Sequence, residues 1–244
     1  MNVLCVIPAR YASTRLPGKP LKDIAGKPMI CRVYERAAKA SRVAAAIVAT
    51  DDSRIYDAVL QHGGKAVMTR KDHPTGTDRL AEVAERYPDV DLIINVQGDE
   101  PLIEPKLIDE LAAAFDGDAD LQMATVCTEI TDEAEQQNPN NVKVVMDKQG
   151  YALYFSRSLM PYPRHPGTPV YKHIGIYAYK RDFLLAYAKM AETPLEHAES
   201  LEQLRALENG YRIKVIKTPY RFVGVDTAED LAKVNAIYRQ MMQG

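Results

Sequence analysis

The stretch VLCVIPARYASTRLPGKPL, Val3 to Leu21, decides the architecture. Its first five residues are apolar without alternation, the pattern of a strand buried on both faces, as in a parallel sheet. Prolines 8, 17 and 20 and Gly18 then exclude a helix interior, yet this broken segment carries Arg10, Arg15 and Lys19. An irregular cationic loop leaving the carboxyl end of a buried strand lies where open α/β sheets bind ligands. Backbone N–H groups held off regular structure, the hydroxyls of Ser13 and Thr14, and the cations Arg10, Arg15 and Lys19 together suit a polyphosphate. The competing reading is a solvated basic surface loop. The segment is neither a Walker A loop nor a dinucleotide fingerprint, because G-x-x-x-x-G-K-[ST] and G-x-G-x-x-G are both absent.

Working outward, apolar runs alternate with amphipathic stretches. Strands are expected at Val3–Ile7, Ala45–Ala49, Ala66–Met68 and Leu92–Val96, with helices at Met29–Ala40, Ser53–Gln61, Thr77–Tyr87 and Lys106–Phe115. This βαβα order predicts a mostly parallel, Rossmann-like α/β sheet with helices on both faces. The pattern then changes. Val142–Met146, Ala152–Phe155 and Ile174–Tyr179 are β-rich, with Asp147–Gly150 as a hairpin turn and the proline-rich Pro161–Pro169 as a loop. A helix over Ser200–Glu208, a strand over Arg212–Lys217 and a closing helix over Ala228–Met242 complete the chain. The expectation is one α/β domain over 1–244 with a mixed-sheet extension at about 140–180.

The 244 residues are 46% hydrophobic and 26% charged, with a formal net charge of -2, so no general basic field calls for nucleic acid. No apolar run reaches the roughly 18 residues of a membrane span, and no secretory signal precedes the first strand. Cys5, Cys31 and Cys127 form neither a zinc pattern nor a disulfide set, which predicts free thiols in a reducing cytoplasm.

Two carboxylates stand out. IINVQGDEP places Gln97 and Asp99 just past a buried strand, and magnesium needs only one or two carboxylates when phosphate and water complete its octahedron. Asp226, in GVDTAEDL, is a second candidate, with a plain helix N-cap as its alternative. Arg79 sits in the first turn of a helix, against the macrodipole, and calls for an anionic partner; Asp78 or Glu82 would serve. Tyr177 alternates with Ile174 and Ile176 and fits a packed sheet residue; His173 fits an edge-strand polar residue. Glu199 reads as a solvated helix face, and Glu196 and His197 as surface.

Taken in order, PARYASTRLPGKPL, VATDD, DHPTGTDRLAE, NVQGDEP, NPNNVKVV, YALYFSR, KHIGIYAY, ESLEQLR and GVDT closely resemble the 3-deoxy-manno-octulosonate cytidylyltransferase (CMP-Kdo synthetase) family over nearly the whole chain. The resemblance implies a nucleotide-diphospho-sugar transferase fold and the reaction CTP + Kdo → CMP-Kdo + pyrophosphate. It further implies a magnesium-dependent cytoplasmic homodimer whose product feeds lipopolysaccharide or capsule assembly. It implies that Arg10, Ser13, Arg15 and Lys19 hold the triphosphate, that Pro8, Ala9 and Gln97 lie near the cytidine, and that Asp99 and Asp226 are the metal carboxylates. Arg157, His173, Tyr177, Glu202 and Gln203 would line the sugar pocket, with Arg79 where the substrates meet. An acidic sugar wants a cation such as Arg157 for its carboxylate, and Glu202 and Gln203 for its hydroxyls. Cytidylyltransferases for 8-amino-Kdo or sialic acid, and a non-catalytic nucleotide-binding protein, are the alternatives. Pro74-Thr75 and Tyr220-Arg221-Phe222 depart from the family pattern.

Overall fold

The computed structural model describes residues 1–12, 16–165, 167–220 and 222–243. The chain forms two compact units, Met1–Asp109 with Phe222–Gly244, and Glu110–Arg221. The second reaches well beyond the expected 140–180 extension, because long strands on either side of that extension pair within it.

The first unit opens with β1 (Val3–Ala9), then a small hairpin, β2 (Asp23–Ile24) and β3 (Lys27–Pro28), and helix α1 (Met29–Ala37). β4 (Ala45–Thr50), α2 (Ser53–Gln61), β5 (Ala66–Met68), α3 (Gly76–Arg86) and β6 (Leu92–Asn95) follow. β1 pairs in parallel with both β4 and β6, and β5 pairs in parallel with β4, as the continuous apolar runs require. Val6 and Ile7 in β1 and Ile93 and Ile94 in β6 are fully buried. Asp52 caps α2 by accepting from Arg54 N at 3.0 Å. Thr75 and Asp78 form a capping box that starts α3. The chain leaves this unit within α4 (Pro105–Ala113).

The second unit holds β7 (Met123–Ile130), α5 (Glu133–Gln137), β8 (Lys143–Met146), β9 (Ala152–Ser156) and β10 (Val170–Lys180). Helices α6 (Arg181–Tyr187), α7 (Pro194–Glu199) and α8 (Gln203–Glu208) precede β11 (Ile213–Lys217). β10 runs antiparallel to β7 and β8, β8 antiparallel to β9, and β11 parallel to β7, so this sheet is mixed as expected. The β8–β9 turn is the expected hairpin: Asp147 accepts from Gln149 N and Tyr151 N, each at 2.8 Å, and Gly150 takes φ 79°. The expected helix over Ser200–Glu208 is shorter. Ser200 adopts φ 51° and ends α7, and α8 begins only at Gln203.

The chain then returns to the first unit through α9 (Ala228–Gln243). Val234 and Tyr238 of α9 pack with Leu16, Ile24, Met29 and Val225. Asn235 links to the β2–β3 hairpin through Ala25 N (2.9 Å) and Asp23 O (3.0 Å). No helix among the described residues is long and apolar enough to cross a membrane.

Candidate active site

The ends of β1 and β6 border a cleft of about 340 Å³ in the first unit, lined by Pro8, Ala9, Arg10, Ala12, Lys19, Pro20, Gln97, Gly98, Asp99 and Asp226. Two parallel strands that stop side by side leave such a cleft at their carboxyl ends. Gly98 lets the two ends approach: a Cβ there would lie 2.8 Å from Pro8 O. The structure thus brings together seven residues singled out in the sequence: Pro8, Ala9, Arg10, Lys19, Gln97, Asp99 and Asp226. Ser13, Thr14 and Arg15 lie outside the described residues.

Lys19 is presented by a tight turn. Gly18 takes φ 67°, and Lys19–Leu21 form one 3-10 turn with Pro20 in its first positions. From there Lys19 Nζ donates to Asp99 Oδ2 at 2.6 Å and to Asp226 Oδ1 at 3.1 Å. Burial pulls the Lys19 pKa down, but Asp99 first and Asp226 second outweigh it and hold the ammonium above its ordinary value. Asp226 is not the N-cap of α9. Thr227 Oγ1 accepts from Asp230 N at 3.2 Å while Asp230 Oδ2 accepts from Thr227 N at 3.0 Å and from Asp226 N at 3.2 Å, which makes Thr227 the capping residue, and the Asp226 carboxylate accepts from Lys19.

Asp99 and Asp226, which converge on one ammonium, are the carboxylates of the cleft that could hold a divalent cation. Among the described residues no group of three or more His, Cys, Asp or Glu could hold a metal. An ion held by this pair would draw its remaining oxygens from phosphate and water.

Arg10 and Arg79 behave differently from each other. Arg10 donates to the carbonyls of His73 (2.6 Å) and Thr75 (3.2 Å), which ties the cationic loop to the start of α3. Arg79 is fully buried and is absent from the cleft lining. Neither Asp78 nor Glu82 is its hydrogen-bonded partner: Asp78 is used in the helix cap and Glu82 bonds His73 and Arg86. Arg79 instead donates to Thr69 Oγ1 and to Asp51 Oδ2 (3.2 Å), a partner 28 residues away that no local pattern reveals. Burial lowers its pKa, with Asp51 opposing.

The remaining candidates lie in the second unit. His173 is buried rather than an edge residue and stacks edge-on with Phe155 at 5.0 Å. Thr125 Oγ1 sits 2.8 Å from Ile176 O and 3.0 Å from His173 Nε2. With one hydrogen given to the carbonyl, Thr125 accepts from the ring, which assigns the proton to Nε2. Burial pushes the His173 pKa down to about 3, so the ring is neutral. Tyr177 is half-buried between the rings of His173 and Tyr179, and burial, then Glu202, raises its pKa. Tyr187 donates to the Glu202 carbonyl at 2.6 Å. Gln203 is buried, and its Nε2 has no acceptor among the described residues.

Two residues read as solvated are not. Glu196 is buried and pairs with Arg205, whose Nε donates to Oε2 at 2.8 Å. Glu199 accepts from Ser156 Oγ at 2.6 Å and Arg157 N at 3.0 Å. Both pairings join residues on separate elements, so helical spacing did not expose them.

Comparison with known proteins gives the family. A cytidylyltransferase family model matches residues 4–215. A 3-deoxy-manno-octulosonate cytidylyltransferase of Fusobacterium nucleatum is 57% identical over 235 residues, covering 96% of both chains. One from Geobacter metallireducens is 54% identical, with 96% of each chain covered. A solved CMP:2-keto-3-deoxy-manno-octonic acid synthetase complexed with CTP superposes with a TM-score of 0.95 at 49% identity, covering 99% of this chain and 100% of that one. A 4-diphosphocytidyl-2C-methyl-D-erythritol synthase of Anaerococcus prevotii, at 15% identity and a TM-score of 0.65, shares the fold alone. The α/β arrangement is that of the nucleotidyltransferases. With a strand-end cleft holding a lysine-bridged pair of carboxylates, and with relatives more than half identical along almost its full length, the chain belongs to the 3-deoxy-manno-octulosonate cytidylyltransferase family.

Proposed function

We propose that this enzyme transfers CMP from CTP to 3-deoxy-D-manno-octulosonate, forming CMP-Kdo and releasing pyrophosphate. The observation that carries the reading is Lys19 bridging Asp99 and Asp226 in the cleft beyond β1 and β6. In the reaction, the anomeric 2-hydroxyl oxygen of the sugar bonds to the α-phosphorus as the bond to the β-phosphate bridging oxygen breaks, and the hydroxyl proton passes to solvent. Positioning and charge neutralisation carry most of such a transfer.

The chain's own groups supply both. Lys19 and Arg10 place cations beside the triphosphate, and Arg15 and Ser13 extend that set. Pro8, Ala9 and Gln97 border the cytidine side. Lys19 stays protonated against its two carboxylates and neutralises charge on the departing pyrophosphate. Asp99 and Asp226 would hold magnesium, which when bound supplies Lewis-acid charge stabilisation at the α-phosphate. Arg157, His173, Tyr177, Glu202 and Gln203 form the sugar-recognition set. His173, being neutral with Nε2–H committed to Thr125, serves through its ring face and Nδ1 rather than as a charge.

Burial lifts the thiols of Cys5 and Cys127 to about 12 and that of Cys31 to about 11, which suits inert thiols of a cytoplasmic enzyme. We place the enzyme there as a homodimer, a state that sedimentation velocity checks directly. The function itself is tested by pyrophosphate release from CTP and magnesium with Kdo, run beside sialic acid and 8-amino-Kdo. Release with Kdo alone is expected. Release only with another sugar would overturn the sugar assignment, and CTP binding with no release from any sugar would favour a non-catalytic role.

A further inference from the structure

The second unit contains a cationic cluster built around a residue that the phosphate and metal chemistry does not use. Lys143, the first residue of β8, is fully buried. Lysine is almost never fully buried without compensation. All three of its N–H donors are spent on carbonyls: Asn138 O at 3.0 Å, Asn141 O at 2.6 Å and Arg157 O at 2.6 Å. The ammonium is therefore satisfied as a donor, but carbonyls do not cancel its charge.

Arg157 and Glu199 complete the cluster. The Arg157 guanidinium donates to three more carbonyls, Glu199 O (2.7 Å), Pro139 O (3.2 Å) and Ser200 O (3.3 Å). The Glu199 carboxylate holds the end of β9 through Ser156 Oγ and Arg157 N. Burial lowers the Lys143 pKa, while Glu199 opposes and Arg157 adds to that shift, so these are the charges that act on it. Two cations and one carboxylate thus stitch together the 138–141 loop, the end of β9 and the turn at Ser200. Ser200 keeps its φ of 51°, an uncommon conformation for a non-glycine residue, where Arg157 grips its carbonyl. Glu202 and Gln203 follow directly.

We propose that Lys143 is a positioning residue for the acidic sugar: its buried ammonium fixes the loop and strand end that present Arg157. The inference rests on the reading of the enzyme as a Kdo cytidylyltransferase. Lys143 touches no substrate in this role and acts through Arg157 and the Ser200 turn.

The test is steady-state kinetics of Lys143→Met, which keeps the side-chain length and removes the charge and the three donors. KM for Kdo is expected to rise about tenfold or more, while kcat stays within about threefold and KM for CTP within about twofold. An unchanged KM for Kdo, or equal rises in both KM values, would overturn the proposal; the latter marks a general loss of structure. Should the variant fail to fold, hydrogen exchange on the wild-type chain decides. Kdo should slow exchange in 138–143 and 199–203 where CTP alone does not, and exchange there that ignores Kdo would overturn it. Pyrophosphate release by wild type with Kdo reports separately on the underlying reading. Its absence overturns both, whereas release with an unmoved Kdo KM in the variant overturns only the role of Lys143.

Discussion

Asp99→Asn should separate what this carboxylate does for the fold from what it does for the reaction. Asp99 Oδ2 and Asp226 Oδ1 lie 2.6 and 3.1 Å from the same Lys19 Nζ. Laid end to end, these distances put the two oxygens no more than about 5.7 Å apart. The Asp99 side chain is 32% exposed, so a water-like dielectric applies. On that scale the attraction to Lys19 is about 1.6 kcal/mol, and the repulsion from Asp226 that vanishes with it is about 0.7 kcal/mol. The net loss is about 1 kcal/mol before allowing for the hydrogen bond that Asn can still accept. For a chain of this length that is a drop of about 2–4 °C or less in melting temperature. Catalysis should suffer far more: removing a key electrostatic group costs about a hundredfold in kcat or more, equivalent to about 2.7 kcal/mol. Urea unfolding beside saturating pyrophosphate-release kinetics reads both quantities on one preparation. Near wild-type turnover would remove Asp99 from the metal site. A stability loss as large as the kinetic loss would show that the carboxylate is there mainly for the fold.

Three further outcomes are expected. Arg157→Ala should weaken Kdo binding far more than CTP binding by calorimetric titration, and equal losses would contradict its place in the sugar half. His173 titrates at about 3 when folded against an ordinary 6.5, so the unfolded chain takes the proton first as pH falls. Its contribution is fully present above about pH 6.5 and is lost at about 1.4 kcal/mol per pH unit below it, so His173→Gln should flatten the acid limb by about 2 kcal/mol between pH 6.5 and 5; an unchanged slope in urea titrations would deny that the ring is buried neutral. Gly98→Ala must push back the Pro8 carbonyl, since its Cβ would fall 2.8 Å from a backbone atom. A stability loss of about 1–3 kcal/mol with a raised KM for CTP is expected, and unaltered CTP kinetics would show that the cleft does not depend on that close approach.

Much of the first unit is legible locally. VLCVI, AAIVA and LII are continuous apolar runs, and each became part of a parallel strand, with cleft residues following β1 and β6. Lys19 and Asp99 could be singled out because loop breakers and a strand end announce them, whereas Asp226 rose above a plain helix N-cap only through the family resemblance. β7 could not: in MATVCTEI the threonines interrupt the apolar run, although Thr125 is fully buried because its hydroxyl bonds the bulged stretch of β10. Glu196 and Glu199 looked solvated because their partners, Arg205 and the Ser156–Arg157 strand end, sit on other elements. Asp51 as the partner of Arg79 is hidden for the same reason. Apart from β7, what escaped the sequence is the non-local pairing of charge, which leaves no periodic trace.

The Lys19–Asp226 contact joins residues 207 positions apart. Lys19 and Asp99 emerge early in synthesis, whereas Asp226 follows the entire second unit. A nascent chain therefore carries half of the carboxylate pair for most of its time on the ribosome. Closing so long a loop adds only a slowly growing entropic cost, so the delay comes from synthesis order rather than from chain search. On the proposed role of Asp226, catalytic competence is dated to the last stage of translation, and a product that stops short of residue 226 should not acquire it by folding longer.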